Sequence, residues 1–85
     1  MNIMKLNTKE GKLYVGDKEV LKGWESFSGW YWFATELNND GYHFGLVQGF
    51  EQELGYFSED ELNSLSPKIW EISNIDLPHA GRRDA

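Results

Sequence analysis

The side chains best suited to catalysis or metal binding are few in this sequence. It holds no cysteine, and its two histidines, His43 and His79, lie far apart, without the short spacing of a zinc motif. No Gly-x-Ser-x-Gly segment marks a nucleophilic serine, and no glycine-rich loop of the phosphate-binding type occurs. The sequence therefore predicts no catalytic residues, no metal and no cofactor, and indicates a protein that is not an enzyme.

One histidine could still form an acid–base pair. If the segments on either side of residues 38–41 form a hairpin, His43 lies opposite Glu36 on the neighbouring strand. Such a pair could transfer a proton or contact a ligand, although a polar cross-strand pair at the open end of a sheet is the simpler interpretation. A small-ligand-binding or enzymatic domain that uses His43, Glu36 and the aromatic face is therefore an alternative functional hypothesis.

Acidic side chains outnumber basic ones and are unevenly distributed. The 85 residues carry 14 Asp and Glu against 8 Lys and Arg, a formal charge of -6. Residues 1–35 hold five lysines and four acids, whereas residues 36–76 hold nine acids and one lysine. Such an acidic segment repels nucleic-acid phosphates and attracts basic surfaces, so we expect a basic protein surface as partner and no direct binding of nucleic acid. The acids expected to contact this partner are Glu51, Glu53, Glu59, Asp60 and Glu61.

Aromatic side chains make up 15% of the sequence and include four tryptophans. Large rings anchor interfaces, but a small domain without disulfides also uses them in its core, and we expect both uses here. The rings predicted to be buried are Trp70, Tyr31, Phe33, Phe44 and Phe57. The tryptophans expected to be exposed for partner binding are Trp24, Trp30 and Trp32.

A β-hairpin is predicted to position most of these rings. Residues 29–37 are rich in aromatic and β-branched side chains, residues 38–41 read Asn-Asn-Asp-Gly and predict a turn, and residues 42–50 return as the second strand. A further hairpin is predicted at residues 12–21, around Gly-Asp at its centre, whereas the glycines and serines of residues 23–29 indicate a link between strands.

Alternation along the predicted central hairpin separates two faces. Phe33 and Leu46 lie on the face predicted to form the core. The opposite face carries Trp30 and Trp32, whose indoles can cover the bare backbone of two cross-strand glycines. These glycines are Gly45 and Gly49.

One short helix is predicted after the last strand of this sheet region. Ser58 and Glu61 have the spacing of a capping box, in which the serine hydroxyl accepts a backbone N–H of the first turn. Apolar residues continue at helical spacing until Pro67 ends the helix. We therefore expect a helix at about residues 59–66 in a small α+β fold, with a twisted antiparallel sheet of four to five strands.

The length suits one domain. We assign residues 1–77 to a single α+β domain and expect residues 78–85 to form a mobile C-terminal tail. No run approaches the roughly 18 apolar residues of a membrane span, so no membrane partner is expected. Residues 1–6 are too short and too interrupted by polar residues to suggest a secretory signal, so we expect a reducing compartment and a cytoplasmic protein.

Residues 30–62 carry a more specific signal. Trp32 and Thr35-Glu36, followed by the run FGLVQGFEQELGYFSEDEL, resemble a family of short bacterial, plasmid and phage proteins, domain-of-unknown-function family 2958. The resemblance covers about 33 of the 85 residues. It implies a setting in mobile genetic elements and brings no known catalytic residues.

The leading hypothesis joins this setting to the charge distribution. We expect a non-enzymatic, acidic protein-interaction module of a mobile genetic element. In its most concrete form it inhibits a host nucleic-acid-binding defence complex, in the manner of anti-CRISPR or anti-restriction proteins, with its acidic surface occupying a basic site. A further alternative is a homodimeric structural accessory protein whose exposed aromatic residues form the dimer interface.

Overall fold

The structure is a computed structural model that describes residues 5–81. These residues form eight antiparallel strands in two sheets, together with one short α-helix before the last strand and one 3-10 helix after it. The predicted α+β class is confirmed, but the number of strands exceeds the four to five that we expected. The additional strands come from the first third of the chain, where short turns fold nearly every segment back on its neighbour.

The smaller sheet contains three strands in the order β1-β2-β3. Tight turns connect them, and the first turn places Glu10 and Gly11 in the left-handed region of backbone space, at φ 56° and 80°. The predicted hairpin at residues 12–21 is found in this sheet with a shorter second strand, residues 18–19, and Leu21 already donates its N–H to the carbonyl oxygen of Ala34 in the other sheet. Its strands are β1 Leu6–Lys9, β2 Lys12–Val15 and β3 Lys18–Glu19.

The larger sheet contains five strands in the order β7-β6-β5-β4-β8. Four of them follow one another as an antiparallel meander, and the fifth returns after the helix to pair with β4 on its outer side. The strands are β4 Lys22–Ser26, β5 Tyr31–Glu36, β6 Tyr42–Gln48, β7 Gln52–Ser58 and β8 Ile69–Glu71.

The helix α1, Glu59–Ser64, begins directly where β7 ends. The Ser58 hydroxyl accepts the N–H of Glu61 at 3.1 Å, so the predicted serine cap is confirmed. The helix ends two residues earlier than the predicted residue 66. Leu62, its one buried residue, packs on the sheet.

The five-stranded sheet is partly covered on both faces. One face, here called the sheet-packed face, contacts the three-stranded sheet and the 3-10 helix Leu77–His79. The other, the helix-packed face, contacts α1. The first core consists of Leu13, Val15, Val20, Phe33, Leu46, Ile72 and Leu77. The second consists of Trp24, Ala34, Leu62 and Ile69, with Trp32 and Phe57 against it.

Strand β4 occupies residues that we predicted to be a link. Its glycine is needed for packing rather than for a turn, because a Cβ at Gly23 would lie 2.7 Å from Leu77 Cδ1 and 3.3 Å from Phe33 Cδ1. β4 lies between β5 and β8, with α1 against one face. Trp24 is therefore fully buried, and the prediction that it is exposed is wrong.

Trp70 shows the opposite error, because it was predicted to be buried and is 40% exposed. It lies on β8, a strand of three residues at the edge of the sheet, which has a neighbouring strand on one side only within residues 5–81. Among the other rings predicted to be buried, Phe33 is fully buried. The remaining three are half-buried: Tyr31, Phe44 and Phe57.

The predicted pair of His43 with Glu36 is also wrong. A bulge between Ala34 and Glu36 shifts the β5–β6 register, so that Glu36 pairs with Phe44 instead. Glu36 itself is exposed. The alternative hypothesis of a ligand-binding or catalytic His43–Glu36 pair therefore loses its geometric basis.

The last described residues pack on the sheet. Leu77 is buried in the first core, and a Cβ at Gly81 would lie 2.9 Å from Phe33 Cζ and 2.8 Å from Gln48 Oε1. The predicted domain boundary at residue 77 thus falls inside the 3-10 helix. The rest of the predicted tail, residues 82–85, lies outside the described residues.

Candidate interaction surface

Aromatic and acidic side chains meet at the turn between β6 and β7, on the helix-packed face. Five residues line a shallow concavity of about 330 Å³, and Trp32 adjoins it through a contact with Trp30. The turn brings the start of β5, the end of β6 and the start of β7 together here. We call this surface the aromatic–acidic patch; it consists of Trp30, Trp32, Val47, Phe50, Glu51 and Glu53.

The indole of Trp30 lies against the backbone of a glycine at the end of the neighbouring strand. A Cβ at Gly49 would lie 2.5 Å from Trp30 Cζ3, so only glycine leaves room for the indole at this position. The predicted cover of Gly49 by an indole is confirmed. Gly45, in contrast, lies against the backbone of β5, where a Cβ would collide with Phe33. Trp30 and Trp32 are both half-buried, and each keeps part of its ring exposed.

Phe50 completes the aromatic part of the patch and was not predicted. Its ring meets that of Trp30 edge-on, with centroids 5.4 Å apart, and the side chain is 95% exposed. A single exposed apolar residue is common, but one that extends a tryptophan pair at a turn favours an interaction site. The signal in the sequence was an aromatic residue between Gly49 and Glu51, in a segment that is otherwise polar.

Two of the five predicted acids belong to the patch. Glu51 and Glu53 line the concavity and are exposed. Within residues 5–81, the ion pairs join other residues, and neither carboxylate has a basic side chain within 4 Å. Both carboxylates are therefore available to a basic group of a partner.

The other three acids lie at the start of α1 and form a separate group. Ser58 follows Glu53 by five positions of extended strand, a distance of about 17 Å at 3.4 Å per residue. Asp60 and Glu61 are exposed in the first helical turn, where negative charge stabilises the helix dipole. The structure thus brings the five predicted acids together as two groups rather than as one surface.

Glu59 is bound to other parts of the protein. Its Oε1 lies 2.6 Å from His43 Nε2, and its Oε2 accepts a hydrogen bond from Lys22 Nζ at 3.0 Å. The hydrogen bond with His43 and then that with Lys22 lower the pKa of the Glu59 carboxyl. Glu59 therefore ties the helix start to β4 and β6, and its charge is already compensated within the protein.

His43 has a structural role in this network. The ring is buried, and its Nδ1 accepts the N–H of Asn38 at 3.1 Å. Because Nδ1 accepts this hydrogen bond, the ring proton lies on Nε2, and the Nε2–H group donates a hydrogen bond to Glu59. Both ring nitrogens are thus used inside the protein, with the imidazole stacked on Trp24 at 6.3 Å between centroids.

Trp24 contributes a further tie between the sheet and the helix. Its Nε1 donates a hydrogen bond to Asn63 Oδ1 at 3.0 Å, and its ring meets Phe57 edge-on. The Lys22 ammonium lies 5.8 Å from the centre of the same ring. Of the three tryptophans predicted to contact a partner, Trp30 and Trp32 are placed to do so, whereas Trp24 holds α1 in position.

Neither metal binding nor membrane insertion has a structural basis in the part of the chain that the structure describes. No group of three His, Cys, Asp or Glu side chains there could hold a metal ion. None of the helices formed by residues 5–81 has the length and apolar composition needed to cross a membrane.

Comparison of the chain with protein-family models, curated proteins and solved structures finds no match. The resemblance of residues 30–62 to family 2958 therefore stays a prediction. The fold and the aromatic–acidic patch rest on the contacts described above.

Proposed function

We propose that the protein is a non-enzymatic interaction module that binds a basic protein surface through the aromatic–acidic patch. The observation that carries this proposal is the convergence of Trp30, Phe50, Glu51 and Glu53 on one concavity. The aromatic rings offer apolar contact area, and the two carboxylates carry uncompensated negative charge at its margin.

This combination matches the chemistry of an arginine or lysine side chain. The alkyl stem of such a residue would pack on Val47 and Phe50, while its charged end would lie near a ring face and a carboxylate. A cation over an aromatic ring contributes about 0.5–2 kcal/mol, and an exposed ion pair about 0.2–1 kcal/mol. Neither contact is strong alone, but several in one concavity form the kind of anchor that dominates protein interfaces.

The narrower form of the proposal concerns the partner. Residues 36–76, with nine acids and one lysine, would compete with nucleic acid for a basic site. A nucleic-acid-binding complex of the host, such as a CRISPR or restriction complex, has a surface of this kind. The protein would then act as an inhibitor that a mobile genetic element carries.

The test compares three forms of the tagged protein in a pull-down from nuclease-treated lysate. The forms are wild type, Glu51→Gln/Glu53→Gln, and the control Glu10→Gln/Asp17→Asn, which removes two exposed acids from the three-stranded sheet instead. We expect a partner that elutes with salt, binds about tenfold more weakly to the patch variant and equally to the control, because two carboxylate contacts are lost. DNA added to the bound complex, after the nuclease has been washed away, should displace this partner.

Two results would count against the proposal. If both double variants bound the partner like wild type, the patch carboxylates would have no part in recognition. Binding that is insensitive to salt would exclude the electrostatic mechanism.

A further inference from the structure

Strand β7 leaves a long hydrogen-bonding edge open. It has seven residues, pairs in regular register with β6 and has no strand on its other side within residues 5–81. Edge strands usually avoid unwanted pairing through shortness, bulges, proline or charged side chains, especially lysine. β7 has no bulge, proline or lysine and carries a single charge, that of Glu53, whereas β8 at the opposite edge has only three residues.

The backbone groups that face this edge follow from the hydrogen bond that closes the turn. Gly49 donates its N–H to the carbonyl oxygen of Glu51 at 3.1 Å. In an antiparallel ladder, pairs that exchange hydrogen bonds alternate with pairs that do not. Every second residue from Glu53 onward therefore bonds to β6. The N–H and C=O groups of Leu54 and Tyr56 point away from β6, toward the free edge.

The side chains along β7 offer different chemistry on its two faces. On the sheet-packed face, Leu54 and Tyr56 are 39% and 68% exposed, and Tyr56 meets Phe44 edge-on with centroids 5.1 Å apart. On the helix-packed face lies Glu53, the one charged residue of the strand. A strand added to β7 would thus find apolar neighbours on one face and a carboxylate on the other.

The charges near the two ends of β7 determine which kind of strand can pair with its free edge. Glu51 and Glu53 lie at its start, and the acids of α1 follow its end. An antiparallel second copy centred on Gly55 would bring Glu51 of one copy to the start of α1 of the other, where Asp60 and Glu61 are exposed, and a parallel copy would align like acids. Like charges on neighbouring strands are destabilising, so the edge favours a basic strand over a second copy of this chain.

We infer that the partner binds by adding an extended basic segment to the edge of β7. Alternate side chains of that segment, lysine or arginine, face Glu53, and the intervening apolar side chains cover Leu54 and Tyr56. Main-chain hydrogen bonds provide affinity, and the alternating side chains provide specificity. This inference rests on the proposed function and specifies how the basic partner is bound, since β7 starts one residue after the patch residue Glu51.

The test uses the synthetic heptapeptide acetyl-KVKVKVK-amide, which matches the length and alternation of β7. Amide hydrogen exchange in the full-length protein is followed by NMR with and without saturating peptide. We expect exchange of the Leu54 and Tyr56 amides to slow by about tenfold, because each gains a partner. The amides of Gly55 and Phe57, already bonded to β6, should change little. The acidic peptide acetyl-EVEVEVE-amide should not protect any of them.

Two variants of Leu54 distinguish the contribution of its backbone N–H to peptide binding from that of its side chain. Leu54→Pro removes the edge-facing N–H, whereas Leu54→Thr shortens the side chain but keeps that donor. Peptide binding should be about tenfold weaker for Leu54→Pro than for Leu54→Thr, since one main-chain hydrogen bond is missing. Thermal unfolding of both variants checks that each is folded.

The remaining outcomes each overturn the inference. Peptide-dependent shifts of the Trp30 and Trp32 indole N–H signals, without slower exchange in β7, would show docking by side chains alone, and the proposed function would stand. No binding of the peptide would exclude a basic strand on β7, while the pull-down with Glu51→Gln/Glu53→Gln would still judge the proposed function. Protection of β7 that rises with protein concentration, without peptide, would make a second copy the occupant.

Discussion

At the scale of single residues, carboxylates that look alike in the sequence have different roles in the structure. Glu51 and Glu53 are exposed and unpaired by basic groups within residues 5–81, whereas Glu59 joins Lys22 and His43. The difference arises from position, because Glu59 lies where β7 passes into α1 and faces two strands at once. Neutralising Glu51 and Glu53 should therefore weaken partner binding. Neutralising Glu59 should instead lower the stability of the fold.

The Glu59→Gln variant tests this internal role. We expect the free energy of unfolding at pH 7 to fall by about 1–2 kcal/mol, since two hydrogen bonds lose their ionic character. The pKa of Glu59 is lowered in the folded protein, so its stabilising effect is complete above the ordinary carboxyl pKa of 4.5 and is lost as the pH falls through the lowered value.

Urea unfolding of wild type and Glu59→Gln at pH 7 and at about pH 3 measures both effects, and the difference between the two proteins should be smaller at the lower pH. Asp60→Asn, one residue later and exposed, is the control and should cost only a few tenths of a kcal/mol through the helix dipole. A difference that persists undiminished in acid would contradict an ionic role for Glu59.

At the scale of elements, features that depend on neighbouring residues were predicted correctly, whereas pairing between distant segments was not. The Ser58 cap is a contact within four residues, and the 38–41 turn with its flanking strands is also local, so both could be predicted. The central position of β4 depends on β8, more than 40 residues later, and this pairing decides that Trp24 is buried.

The candidate site shows the same limit. Trp30 and Trp32 could be placed together from alternation along one strand, and Glu51 with Glu53 from a short connection. The bulge that separates His43 from Glu36 could not be predicted, because nothing in the local pattern marks it. The network of His43 with Glu59 and Lys22 joins three elements, and its members come from three distant segments.

The serine cap is an element-scale feature with a measurable effect. Ser58→Ala removes the acceptor for the Glu61 N–H and should lower the free energy of unfolding by about 1 kcal/mol, the usual cost of a lost cap. In a chain of this size, that corresponds to a fall in melting temperature of about 4–8 °C. Ser64→Ala serves as the control, because this exposed serine lies at the last turn and only donates to the Glu61 carbonyl. Equal melting temperatures for Ser58→Ala and wild type would rule out a stabilising cap.

At the scale of the whole molecule, the two acidic groups should act independently. Their separation of about 17 Å along β7 is twice the screening length of about 8 Å at physiological salt. The α1 acids therefore cannot replace the patch carboxylates at close range, which is why the Glu51→Gln/Glu53→Gln variant is a sharp test. The surface that we propose for binding lies at one end of the sheet, and the Glu59 network lies at the other.

The pairing of β8 with the outer side of β4 also has a consequence for the order in which the strands form during folding. The pairs of β4 with β5, β5 with β6, and β6 with β7 join neighbours in sequence, whereas the pair of Ser26 with Ile69 joins residues that the rest of the meander and the helix separate along the chain. Contacts between distant residues require a costlier loop closure, so β8 should dock after the transition state. In stopped-flow kinetics, Ile69→Val should then accelerate unfolding and leave the folding rate nearly unchanged. If Ile69→Val folded more slowly than wild type, β8 would already be paired in the transition state, and the expected order would be wrong.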